Sequence, residues 1–250
     1  MSAATYVFDF DSTLVDFETL DVLAGVALEG RPGAAATRAE IARLTELAMA
    51  GELAFGEALR RRLALLPLTR DHVQALAAQA TGRLAPSVER NLAFFRERAG
   101  RVVIISGGFR EVIAGVADEL GVPPGCVVAN DLVYDENGRV SGVADSPLLA
   151  PLGKAAALKA LGLEGPVVMV GDGWTDAEVR QAGAADRFYA FSEVVRRAPV
   201  IEAADAEVGS IDELLHAEGL AGRWSYPRSR MRILLLENVH PAAVERLEAA

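Results

Sequence analysis

The chain has 250 residues, of which 51% are apolar, and a formal net charge of −10. That is enough apolar material for one large domain, or for a core carrying a smaller inserted unit, and an acidic chain without a Lys/Arg block offers no electrostatic footprint for nucleic acid or an anionic membrane. The only cysteine, Cys126, permits no internal disulfide, no basic n-region precedes Asp9, and no apolar run reaches membrane-spanning length, so the expectation is a cytoplasmic protein without membrane contact.

The first element is a buried strand, Tyr6-Val7-Phe8, which runs into Asp9 and Asp11. In an open α/β sheet ligands bind at the carboxyl ends of parallel strands, so acids placed there read first as chemistry. From residue 16 to 85 the pattern is helical, with apolar positions at helical spacing through Leu20, Leu23 and Val26, from Thr37 to Leu66, and from Asp71 to Ala80. Val102-Val103-Ile104-Ile105 then reads as a strand buried on both faces, ending in Ser106-Gly107-Gly108. Residues 16–85 are therefore expected to be inserted into a core made of 1–15 and 86–222. Val127-Val128 and Leu132-Val133-Tyr134 precede the turn Asp135-Glu136-Asn137-Gly138, with Val140 on the return strand of a small β-ribbon. Val167-Val168-Met169-Val170 runs into Gly171-Asp172-Gly173, Phe188-Tyr189-Ala190 is a shorter last strand, and helices start at Lys154 and Thr175. Strands alternating with helices predict a doubly wound α/β core. Residues 223–230 read as a linker, and 231–250 as a fresh strand and helix.

Polar clusters stand at strand ends or helix starts: Asp9/Asp11, Ser106-Gly107-Gly108, Lys154, and Asp172 with Asp176. Each alone has an ordinary reading: a solvated loop, a turn, a wet helix lysine. Together they describe phosphoryl transfer, because a phosphate monoester dianion resists an anionic nucleophile until a divalent cation, a fixed positive charge and hydrogen-bond donors surround it. Hard oxygens from Asp9, Asp172 and a backbone carbonyl such as that of Asp11 suit Mg²⁺, and no His or Cys cluster argues for zinc. Lys154, one of only two lysines, would be the point charge, and the Ser106 hydroxyl and Gly107 amide the donors, with glycine at 107 and 108 letting the backbone approach. Asp9 would be the nucleophile. Asp11 would protonate the leaving alkoxide and then deprotonate the attacking water, which requires that it start protonated.

In order and spacing, Asp9-Phe10-Asp11-Ser12-Thr13-Leu14-Val15, Ser106-Gly107-Gly108-Phe109, Lys154 and Gly171-Asp172-Gly173-x-x-Asp176 resemble the motifs of the haloacid dehalogenase superfamily, over residues 4 to 215. The resemblance implies a Rossmann-like parallel-sheet core with an inserted helical cap, and the acid at Asp11 implies a phosphatase rather than a dehalogenase. Within the superfamily the chain is most similar to phosphoserine phosphatases, through Asp11-Ser12-Thr13-Leu14-Val15-x-x-Glu18-Thr19-Leu20-Asp21 and Met49-Ala50-Gly51-Glu52-Leu53-Ala54-Phe55, followed by Arg62. This implies Mg²⁺-dependent hydrolysis of O-phosphoserine through an aspartyl-phosphate, with Glu18 on the substrate ammonium, Arg62 on its carboxylate, Met49 and Phe55 helping to close the cap, Thr175 donating a hydrogen bond and Asp176 in support. The charges make sense unaided, since a zwitterionic head needs an anion and a cation held apart and the Arg fork suits a carboxylate. Arg62 also lies in the run Arg60-Arg61-Arg62, whose plain reading is a wet helix face, and Met49 and Phe55 fall near helical spacing, as core residues do.

Two features depart from the pattern: Ala155-Ala156 follow Lys154 where glycine is common, and Trp174 replaces a small residue, to narrow the phosphate mouth or, the preferred reading, to pack beneath it. Three alternatives stay open: a phosphatase for another small phosphomonoester such as phosphoethanolamine, phosphocholine or a methylthio-sugar phosphate, a phosphotransferase to an alcohol such as homoserine, and a phospho-aspartate switch, which Asp11 argues against. Residues 231–250, with the turn Glu237-Asn238-Val239-His240-Pro241, resemble the start of D-3-phosphoglycerate dehydrogenases, implying a fused or adjacent enzyme of serine biosynthesis.

Overall fold

A computed structural model describes residues 3–49 and 53–220, apart from the side chains of Glu46 and Met49. The expected linker at 223–230, the dehydrogenase-like stretch at 231–250 and the side-chain role assigned to Met49 lie outside the described residues.

Strand β1 (Thr5–Phe8) is followed by helices α1 (Thr19–Ala27), α2 (Ala34–Met49), α3 (Phe55–Ala64), α4 (Arg70–Ala80), α5 (Pro86–Arg90) and α6 (Leu92–Glu97) before the next strand, β2 (Val102–Phe109). Then come α7 (Arg110–Leu120), β3 (Val127–Asn130), the hairpin β4 (Leu132–Tyr134) and β5 (Val140–Val143), and α8 (Gly153–Ala160). The described chain finishes with β6 (Val167–Gly171), α9 (Trp174–Gln181), β7 (Arg187–Phe191), α10 (Ala198–Glu202), β8 (Ala206–Val208) and α11 (Ile211–Ala217).

Six parallel strands form one sheet in the order β3-β2-β1-β6-β7-β8. Side chains alternate across a strand, so each strand feeds a separate core on either face. Tyr6, Phe8, Ile104, Val168 and Val170 pack on one side with the helices that follow β1, while Val7, Val103, Ile105 and Met169 pack on the other against α8 and α9. Strand β1 lies between β2 and β6, with Phe8 opposite Ile104 on one side and Val170 on the other. The strand order reverses at β1, and the crevice outside such a switch point is where open α/β sheets bind ligands. Asp9, Ser106 and Asp172 all leave or end strands there.

Some details differ from the sequence reading. The helical stretch expected from Thr37 to Leu66 is two helices, α2 and α3. Val127 and Val128 pair with β2 in the main sheet rather than with the ribbon, so only β4 and β5 form the hairpin. The edge strand β8 and the short α10 and α11 had no clear periodic signal at their length. Cys126, beside the strand β3, is half-buried. The hairpin also reaches back to the helical segment, where Val140 N–H donates to the Leu68 carbonyl (3.0 Å) and Arg70 N–H to that of Gly138 (2.8 Å).

Candidate active site

Asp9 is set at the sheet end by two backbone bonds: its N–H donates to the Val170 carbonyl (2.9 Å), and its Oδ1 accepts from the Phe10 N–H (2.7 Å). After it the chain coils tightly. The N–H groups of Thr13, Leu14 and Val15 all point at the Phe10 carbonyl, and Ser12 takes a left-handed backbone with φ of 52°. That coil turns Asp11 back over the sheet, and Thr19, the first residue of α1, donates its hydroxyl to Asp11 Oδ1 at 2.5 Å.

Lys154 opens α8 and is nearly buried, its Nζ 2.8 Å from Asp9 Oδ2 and 2.7 Å from Asp176 Oδ1. Burial pulls the pKa of this ammonium down, but Asp176 and Asp9 outweigh it and hold the group charged. Asp176 is completely buried on the first turn of α9, where Oδ2 also accepts the Gly173 N–H at 3.0 Å. Asp172, 4% exposed, accepts the Thr13 hydroxyl at 3.1 Å and pairs with the Arg197 guanidinium. Carboxylate oxygens of Asp9, Asp172 and Asp176 lie within 4.8 Å of one another. Carboxylates this close and this dry repel each other and need cations. Lys154 and Arg197 supply part of that charge. The remaining donors are all hard oxygens with no His or Cys among them, the chemistry that Mg²⁺ prefers. Asp11 joins this cluster only by sequence proximity, its carboxyl group being turned toward Thr19; the sequence reading assigned its backbone carbonyl.

Asp11 is in a different electrostatic position. Loss of water, then the Glu18 charge and, more weakly, that of Asp9 push its pKa well above the carboxylate range, against the Thr19 hydrogen bond. The protonated carboxyl that acid catalysis asks of Asp11 is thus the form this surrounding favours.

At the end of β2, Ser106 Oγ accepts the Gly108 N–H at 2.9 Å, which leaves its hydroxyl hydrogen to point elsewhere. Asn130, at the end of β3 and fully buried, donates from Nδ2 to the Gly107 carbonyl at 2.8 Å, while its Oδ1 is the one buried side-chain oxygen or nitrogen among the described residues with no partner. The peptide between Gly107 and Gly108 is held at both ends. Gly107 lets the Phe55 ring lie directly over the backbone: a β-carbon there would overlap the tip of that ring and sit 3.1 Å from its Cε2, so the ring would have to move.

Glu18 and Arg62 are half-buried above these groups. Glu18 Oε1 accepts from Ser12 Oγ (2.8 Å) and Arg197 Nη2 (3.2 Å). Arg62 donates to Thr45 Oγ1 (3.2 Å) and the Ala58 carbonyl (3.4 Å). Burial lowers its pKa by more than Asp21, Glu18 and Asp11 raise it, and the guanidinium thus lies in the field of Glu18 and Asp11 as well as of the exposed Asp21. Thr175 is half-buried beside Asp176 on α9. Trp174 does not pack beneath the site: it is 40% exposed, with its indole bonded one turn along to Glu178, as befits an N-terminal helix residue facing water.

Arg197, Asn130, Thr13 and Thr19 were missed as site residues. Arg197 follows the end of β7, a strand-end position that the topology rule would have flagged had its loop been followed. Thr13 belongs to the first motif and Thr19 to the stretch Glu18-Thr19-Leu20-Asp21 that follows it, and Asn130 had no signal beyond ending a strand.

A family model described as haloacid dehalogenase-like hydrolase matches residues 6–179. The phosphoserine phosphatase of Bos taurus is 34% identical over 220 residues, covering 86% of this chain and 93% of that one. Among solved structures, a phosphoserine phosphohydrolase-like protein from Francisella tularensis superposes with a TM-score of 0.76 at 27% identity, covering 86% of this chain and 99% of that one. A substrate-bound phosphoserine phosphatase complex gives 0.68 at 25% identity, with 87% and 99% covered.

Proposed function

This chain belongs to the haloacid dehalogenase-like hydrolase family and is a phosphatase, and from that premise we propose that it hydrolyses O-phosphoserine to serine and phosphate as a step of serine biosynthesis. The carrying observation is that Asp9 is gripped by Lys154 at 2.8 Å while Asp11, two residues on, lies in the field of both Glu18 and Arg62. A nucleophile with a fixed cation is thereby placed two residues from an acid that feels both an anion, Glu18, and a cation, Arg62, the pair of charges a zwitterionic amino-acid head requires.

In this reading Asp9 attacks phosphorus and forms an acyl phosphate, and the bond to the serine oxygen breaks as Asp11 gives that oxygen its proton. Water then attacks the acyl phosphate, Asp11 takes up the water's proton, and Asp9 is released with inorganic phosphate. Lys154 stays beside the transferred group, and the Ser106 hydroxyl and Gly107 N–H donate to its oxygens. Mg²⁺ bound by Asp9, Asp172 and the Asp11 carbonyl, with Asp176 supporting, would neutralise phosphate charge. Residues 16–85, with Phe55 over Gly107, are read as a cap that limits bulk water during transfer. The likeness of 231–250 to the start of D-3-phosphoglycerate dehydrogenases supports the same pathway.

The test is phosphate release from phosphoserine, phosphothreonine, phosphoethanolamine, phosphocholine and a sugar phosphate, with Mg²⁺ and with EDTA, using Asp9→Asn as the blank. Mg²⁺-dependent preference for phosphoserine is the expected result. Equal turnover of esters lacking a carboxylate would remove the serine assignment, and a lasting acyl phosphate without phosphate release would point to a switch instead.

A further inference from the structure

Helix α3 carries Phe55 and Arg62 over the sheet end, and its first turn contains a glycine that helix formation does not ask for. Gly56 has no left-handed backbone, and inside a helix glycine is roughly 1 kcal/mol less favourable than alanine. What Gly56 lacks is room. A β-carbon there would overlap the carbonyl oxygen of Leu149 and lie 3.0 Å from both the carbonyl carbon and the Cβ of that residue. Two of those atoms are backbone, so no rotamer change relieves the clash.

The contact has a counterpart one residue earlier, where the Phe55 ring rests on Gly107. Helix α3 is thus seated on the core at two glycine contacts. One lies at the phosphate-facing end of β2. The other lies on the turn Pro147–Leu149, which leads through Leu152, in a left-handed backbone with φ of 55°, to Lys154.

We infer that Gly56 is a positioning and specificity-determining residue: its missing side chain sets how deeply α3 seats against Leu149, and hence how close Phe55 and Arg62 come to a substrate held at Asp9. The inference rests on the substrate-facing roles proposed for those two residues. Gly56 touches no reacting atom. Restoring ordinary carbon–oxygen contact at an added methyl requires a separation of about 1 Å, and a shift of that size at a substrate-positioning group costs up to ~10²-fold.

The experiment compares wild type, Gly56→Ala and Gly56→Ser on phosphoserine and on p-nitrophenyl phosphate, which has neither ammonium nor carboxylate, and follows hydrogen exchange of the α3 amides. Expected for both variants is a KM for phosphoserine raised roughly tenfold or more, with kcat on the aryl phosphate held within about twofold. The α3 amides should exchange faster while those of β1 and β2 keep their protection. Alanine favours the helix, so a merely local role for Gly56 would slow α3 exchange in Gly56→Ala, opposite to the effect of an unseated helix. Unchanged KM and exchange, or equal losses on both substrates, would overturn the inference. A wild type without preference for phosphoserine would instead overturn the proposed function, and α3 exchange in Gly56→Ala would then decide the seat by itself.

Discussion

At the ends of β1, β2 and β6 the charged groups are dry and tied to one another: Lys154 is 7% exposed and bonds two carboxylates at 2.7 and 2.8 Å, and Asp176 is wholly buried. Above them, Glu18 has a side chain 40% exposed, and Arg62 is held by bonds of 3.2 and 3.4 Å. Low dielectric and full hydrogen bonding fix a group at a cost that only constant chemistry justifies, whereas a wetter group such as Glu18 or a more loosely bonded one such as Arg62 can follow a substrate in and out. Under the proposed function the contrast corresponds to a division of labour, with phosphoryl transfer on the sheet side and choice of ester on the helical side.

The contrast is broken most severely at Asp9. Asp9→Asn should lower kcat by ~10⁴-fold or more on every phosphomonoester, since it removes the proposed nucleophile. Lys154→Met should cost roughly 10²–10³-fold, again whatever the ester, because it takes away preorganised charge and leaves Asp9 and Asp176 facing each other. A steady-state panel with each variant checks both; ester-dependent losses would contradict the division. Asp11→Asn should cost ~10²–10⁴-fold in kcat for phosphoserine; with an aryl phosphate, whose leaving group needs no proton, formation of the acyl phosphate is spared and only its hydrolysis slows, so a burst of released phenol should precede slow turnover. Asn130→Leu is expected to cost about tenfold in kcat on all esters with little change in KM, by releasing the Gly107 carbonyl. A lowered thermal midpoint, with a loss of activity that vanishes when turnover is expressed per folded molecule, would make Asn130 structural only.

How far this division could be read from the chain follows the same line. Asp9, Asp11, Ser106 and Asp172 sit where a strand pattern breaks into polar or small residues, so local periodicity locates them and fixes their order around the sheet. Lys154 was legible from rarity, in a chain with two lysines. Arg197, by contrast, meets Glu18 and Asp172 across 179 and 25 positions of sequence. Nothing local distinguishes it from its neighbour Arg196, which pairs with Glu207 at the surface. Asn130 was illegible because its role depends on the register of β3 against β2, where a shift between Ile105 and Phe109 brings Asn130 opposite Phe109. Trp174 misled because apolar bulk suggests burial, whereas its place on the first turn of α9 turns it to water. The break between α2 and α3 escaped because helical periodicity carries across a short interruption without losing phase.

The division of labour is tested most directly by the ratio of kcat/KM for phosphoserine to that for phosphoethanolamine, measured in wild type and in Arg62→Ala. A ratio that falls by about 10²-fold, through loss on phosphoserine with phosphoethanolamine nearly unchanged, is predicted from removal of a charge-assisted bidentate bond. An unchanged ratio, with both esters losing equally, would place Arg62 in the chemistry or in the scaffold and contradict the account.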